Sequence, residues 1–122
     1  MDLTLIHDRL ANAAVMYALA LSLWGVWRFA RHQQVSSDYW GALVIAEALI
    51  ALQAVVGAVL WLEGHRPDRG IHLLYGIVSL LVVPAVYAFT QGRGQRRDML
   101  VYGVSALILA ALLLRAIVTG GR

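Results

Sequence analysis

"YWGALVIAEALIALQAVVGAVLWL", residues 39–62, carries a single charged side chain, Glu47, from end to end. A helix of that length rises about 36 Å. That is enough to cross the ~30 Å hydrocarbon layer of a bilayer, and a sequence this apolar marks a membrane-spanning helix. Working outward, every residue between Arg9 and Arg28 is uncharged, and Ile71–Thr90 and Met99–Leu114, continuing to Thr119, repeat the pattern. The whole chain is 61% hydrophobic and 14% charged, against roughly 45–50% apolar in a soluble domain. The expected spans are about 5–30, 38–62, 70–91 and 98–119. They fill the 122 residues as one domain and leave no room for a soluble one. Alternating strand patterns are absent, which excludes a barrel. The first span begins with Asp2, Thr4 and Asp8 in place of a basic leader and exceeds the ~7–15 apolar residues of a signal core, so it reads as a retained helix.

The connections are short and rich in turn residues. "RHQQVSSD" (31–38) offers Ser36, Ser37 and Asp38 as caps for the second helix, "EGHRPDRG" (63–70) carries Pro67 and two glycines, and "QGRGQRRD" (91–98) places Asp98 as a cap for the fourth. Short loops make successive helices antiparallel. The fold class is therefore all-α, an integral membrane four-helix up-down-up-down bundle.

All ten basic residues are arginine. The 1–2 and 3–4 loops hold Arg28, Arg31, Arg93, Arg96 and Arg97, and the opposite side holds Arg9, Arg66, Arg69 and Arg122, with Arg115 inside the fourth span. The bias favours both termini outside, in the plasma membrane of a prokaryote. Trp24, Trp27, Tyr39 and Trp40 gather at the inner interface and Trp61 at the outer one, as an aromatic belt would.

There is no cysteine, which removes disulfides, thiolate zinc sites, iron–sulfur clusters and covalent haem attachment together. No phosphate-cradling glycine loop or nucleophilic triad is visible. The net charge of +3 is spread over both membrane faces, so nucleic acid is not a partner.

Two Ile-His pairs, Ile6-His7 and Ile71-His72, stand at the mouths of spans one and three. His7 precedes Arg28 by the same separation as His72 precedes Arg93, so the two histidines share one depth. Helices one and three run in the same direction and stand diagonally across an up-down bundle. The second hairpin thus echoes the first. Two imidazoles opposed across an apolar, cysteine-free core are what a six-coordinate haem iron requires. Ala11 and Ala14 after His7, and Gly76 after His72, leave room for a flat macrocycle. Ionisable residues inside spans are functional by default.

"IHDRLA" at 6–11, "LQAVVGAVL" at 52–60 and "IHLLYG" at 71–76 resemble one half of the haem A synthase family, in which each half is a four-helix bundle holding one haem between two histidines. Gln53 and Gly57 match that family's Gln-x-x-x-Gly stretch. The resemblance covers nearly all of this chain and about one half of a full-length member. It implies non-covalent haem b ligated by His7 and His72, with the histidine side facing the exterior. The family's catalytic half carries a glutamate three residues before its first histidine. Thr4 stands there in this chain, and "HDR" replaces "HR". The expectation is a carrier of electrons and not an enzyme.

Other residues admit paired readings. Glu47 inside span two would either relay protons or contact a quinone, or be neutral and bonded to Ser79 or Ser105. Gln53 and Gly57, one turn apart, suit either a haem or close helix packing. Pro84 would kink helix three. Met16 reads as core filler. Arg115, Arg9, Arg66 or Arg69 would pair with a haem propionate or snorkel to the interface, and His65 reads as solvated. Two function classes follow. One is a b-type cytochrome moving electrons, alone or as a subunit of a respiratory or photosynthetic complex, with a quinone or another membrane subunit as partner. The other is a haem-free accessory or assembly subunit of a larger membrane complex.

Overall fold

The computed structural model describes residues 3–66 and 70–120. Pro67, Asp68 and Arg69 of the second loop, and the terminal Asp2 and Arg122, lie outside the described residues. Four helices follow one another: α1 (Leu3–Ala30), α2 (Ser37–Leu62), α3 (Ile71–Thr90) and α4 (Arg96–Thr119). All four are long and apolar enough to cross a membrane. Each helix touches its neighbours in sequence and α4 closes on α1, whereas among the described residues neither diagonal pair is in backbone contact. This is an up-down-up-down ring, with α1 diagonal to α3 and α2 diagonal to α4. A helix satisfies its own backbone hydrogen bonds, which is why hydrocarbon admits such a bundle.

The helix ends follow from local chemistry. His32 takes a left-handed backbone (φ 57°) after α1, and the amide of Gln33 donates to the Arg28 carbonyl at 2.9 Å. Ser36 caps α2 by accepting from the Tyr39 amide at 3.2 Å. Gln91, also left-handed at φ 54°, stops α3. α4 opens two residues earlier than its sequence reading, because Gln95 is the cap and Asp98 the third helical residue of a capping box, its Oδ2 accepting from the Gln95 amide at 3.1 Å. The 31–36 and 91–95 loops are tied together: the Val35 amide donates to the Gly94 carbonyl at 2.9 Å. Arg96 donates from Nε to the Phe29 carbonyl at 3.1 Å and lies 4.2 Å over the Phe29 ring. α3 continues through Pro84 without interruption.

At this loop-tied end the core is dense. Tyr39, Met99 and Tyr102 are completely buried, with Leu21, Leu43, Ala46 and Ala106 around them. Tyr39 donates to the Leu21 carbonyl at 2.8 Å, and Tyr17 to the Ala42 carbonyl at 2.8 Å. Tyr39 is thus a core residue and not an interfacial anchor: its ring packs edge-on against Trp24 at 4.9 Å, and its hydroxyl finds a carbonyl inside the bundle, as a polar group in hydrocarbon must. Met16 departs from its reading as core filler. It is 69% exposed on the lipid-facing side of α1, because Ala14 and Ala18, two residues either side, are the ones turned inward.

α1 and α4 cross where two glycines meet. A Cβ built on Gly25 would come within 2.9 Å of the Gly103 Cα, and one on Gly103 within 3.0 Å of the Val26 amide nitrogen. Both obstacles are backbone, so neither side chain can be accommodated by rotation. Small residues permit such close approach between membrane helices. Gly25→Val is expected to destabilise the bundle by about 1–3 kcal/mol through overpacking, read from unfolding of the protein in detergent by circular dichroism. Gly41→Ala, where a Cβ meets nothing within 4 Å, is expected to be neutral or slightly stabilising.

Candidate functional site

The opposite end of the bundle is hollow. A cavity of about 500 Å³ lies between the four helices at the His7 end, within the ~300–1,000 Å³ range of small-molecule sites. All four helices contribute to its wall, including His7, Ala11 and Ala14 of α1, Gln53 and Gly57 of α2, His72 and Gly76 of α3, and Ala116 and Gly120 of α4. The lining is largely apolar, and its small residues are what keep the space open. Of the site residues expected from sequence, Arg115, Arg9 and Arg66 are not in the wall, and Arg69 lies outside the described residues. Arg115 is exposed, with its guanidinium 5.8 Å from the Tyr75 ring centroid. His65 and Asp8 are in the wall as well.

Across this cavity the two histidines meet. The ring centroids of His7 and His72 are 6.3 Å apart, with an interplanar angle of 67°. Since α1 and α3 are not backbone neighbours, only the side chains bridge the diagonal.

Each imidazole is seated by a glycine of the next helix in sequence. A Cβ on Gly57 of α2 would sit 3.2 Å from His7 Cε1, and a Cβ on Gly120, the cap residue of α4, would sit 2.9 Å from both His72 Cε1 and Nδ1. Four residues before each glycine is a second contact to the same histidine. Gln53 donates from Nε2 to the His7 carbonyl at 2.7 Å. His72 Nδ1 lies 2.5 Å from the Ala116 carbonyl, a partner that can only accept, so Nδ1 is the donor.

The two hairpins therefore repeat one pattern of inward positions. Laying Gly57 of α2 on Gly120 of α4 brings Tyr39, Leu43, Ala46 and Ile50 onto Tyr102, Ala106, Leu109 and Leu113, all buried. Laying His7 of α1 on His72 of α3 brings Ala14 onto Ser79. Ala116 and Gly120 escaped the sequence reading. The signal that could have found them is the spacing from Tyr39 to Gly57, repeated unchanged from Tyr102 to Gly120.

Glu47 departs from the hydrogen-bonded reading. Ser79 turns its hydroxyl back to the Tyr75 carbonyl at 2.7 Å, as hydroxyls in apolar helices commonly do, and Glu47 Oε1 is buried without a hydrogen-bond partner. Among the described residues no group of three or more His, Asp or Glu converges that could hold an ion by itself.

Compared with family models, with curated proteins and with solved structures, the chain finds no match.

Gly120→Ala is expected to push the His72 ring off the Ala116 carbonyl, because the added methyl meets both Cε1 and Nδ1. The measurement is the histidine side-chain 15N spectrum, in which the protonated Nδ1 resonance of His72 should move towards that of a solvent-exchanging ring, while Gly76→Ala, with open space around its Cβ, should leave it in place.

Proposed function

We propose that His7 and His72 ligate the iron of one haem b held in this cavity, and that the chain is a membrane cytochrome of b type that transfers electrons. The observation that carries the reading is the 6.3 Å separation of the two rings across the bundle. With a metal–nitrogen bond of about 2.0–2.1 Å and roughly 1.1 Å from each nitrogen to its ring centre, two imidazoles on opposite sides of one iron stand about 6 Å apart, centre to centre. The remaining four donors would come from the macrocycle. Small residues leave it space: Ala11 and Ala14 on one side, Gly76 on the other.

A haem supplies a reversible one-electron couple, and the chain's own residues set how it is used. The Ala116 carbonyl orients the His72 ring by accepting from Nδ1, the usual role of such an outer hydrogen bond. With His7 and His72 both holding the haem, it would offer no open position to oxygen or substrate. The reading is accordingly electron transfer with a membrane partner, a quinone or an adjoining subunit, and not catalysis at the iron. Thr4, at the position where the haem A synthases carry a glutamate, agrees with this.

Haem added to the purified protein in detergent is expected to give a Soret band with a low-spin, six-coordinate spectrum and a b-type α-band on reduction. His7→Ala and His72→Ala should each abolish the low-spin form. A low-spin spectrum unchanged in both variants would overturn the assignment, and a colourless wild type would favour the haem-free accessory subunit.

The arginine loops around Arg28–Arg31 and Arg93–Arg97 are assigned to the cytoplasm, and both termini to the exterior of a prokaryotic cell. Reporter enzymes active only in the cytoplasm should be silent when fused after Arg122 and active when inserted at Gly94. The reverse pattern would invert the orientation.

A further inference from the structure

The cavity wall is uneven. Ala54, Ala58 and Leu62 on α2, and Leu73 and Ile77 on α3, line the cavity and are also exposed on the outer surface. α2 and α3 form the weakest seam of the ring. Among the described residues no side-chain hydrogen bond joins these two helices. Their ring contact, Trp40 against Tyr87 at 5.8 Å, lies at the far, densely packed end. A Cβ on Gly76 would meet nothing within 4 Å, so the seam is also unfilled from inside.

The depth of this gap decides which phase it faces. Ala54 is eight residues before the end of α2 at Leu62, about 12 Å along the axis, and Ile77 is six residues past the start of α3, about 9 Å. Both lie within the hydrocarbon depth of a span. At the loop end Leu60 is buried, Trp61, part of the wall, carries the Arg66 guanidinium 4.2 Å over its ring, and the exposed His65 also borders the cavity.

We propose that the cavity is reached sideways, from the interior of the bilayer through the α2–α3 seam, and that its occupant arrives as a lipid-dissolved, flat apolar molecule. The identity of that occupant, a porphyrin, rests on the function proposed above. The route does not. Along that route Ala54 and Ala58 on one side and Gly76 on the other present no side chain larger than a methyl, and His7 and His72 stand beyond them.

The test uses the full chain in lipid vesicles without added haem, and an apolar diazirine dissolved in the lipid and photolysed, with insertion sites mapped by peptide mass spectrometry. Labels are expected on the inward residues Ala11 and Ala14 as well as on the outward Met16, Ile45 and Leu81. Ala58→Leu with Gly76→Leu, which fills the seam, should remove the inward labels and leave the outward ones. Unchanged outward labels certify that the variant is inserted and folded. If they change, Ala54→Leu alone serves in its place. Absence of inward labels in the wild type, or their persistence in the seam-filled protein, would overturn the lateral route. Added haem separates the two proposals. If it suppresses the inward labels, both stand, and if inward labelling persists in saturating haem, the route stands and the haem assignment falls.

Discussion

The close crossing of α1 and α4 at Gly25 and Gly103 shapes the rest of the bundle. With no Cβ on either helix, the backbones approach until each glycine meets the other helix's main-chain atoms. Around this crossing, large rings fill the space: Trp24 meets Tyr39 and Trp40 meets Tyr102 edge to face, and the tyrosine hydroxyls end on a carbonyl or on Thr90. Lipid provides no hydrophobic force to press helices together, so such packing and internal hydrogen bonds are what hold a membrane bundle. The loops at this end add to it, with the Val35 amide bonded to Gly94 and Arg96 bonded to Phe29.

The histidine end uses the same elements to opposite effect. There the inward positions carry Ala11, Ala14, Gly57, Gly76 and Ala116. Nothing the size of the aromatic cluster stands among these positions, and a hollow remains. Small residues thus do two jobs in one molecule. At Gly25 and Gly103 they let helices touch, and at Gly57 and Gly120 they let an imidazole from one helix lie against the backbone of the next. The second hairpin repeats these inward positions, and the two imidazoles face one another across the bundle; the repeat does not extend to the contacts between hairpins, close for α1 and α4 and sparse for α2 and α3. The copies are not equal: Gln53 donates to the His7 main chain, whereas the corresponding Ala116 accepts from the His72 ring. That difference leaves the two rings with different electronic surroundings.

What the amino-acid order determined by itself was the number of spans, their approximate limits and the pairing of His7 with His72 at one depth. These depend on quantities that are local or additive along the chain: run length against membrane thickness, turn residues between runs, and a constant helical rise per residue. The diagonal placement of α1 and α3 followed from short loops. Only the tertiary structure decided which face of each helix turns inward, because four nearly uniformly apolar helices carry little amphipathic signal to distinguish a lipid-facing methionine from a core one. It therefore turned Met16 outward, took Tyr39 into the core and left Glu47 without the serine partner that its sequence suggested. It also decided the contacts that depend on the approach of distant backbones: Gly120 and the Ala116 carbonyl on His72, far apart in sequence, and the open seam between α2 and α3. Those are set by how closely two helices can come together, which the order of residues in one helix does not specify.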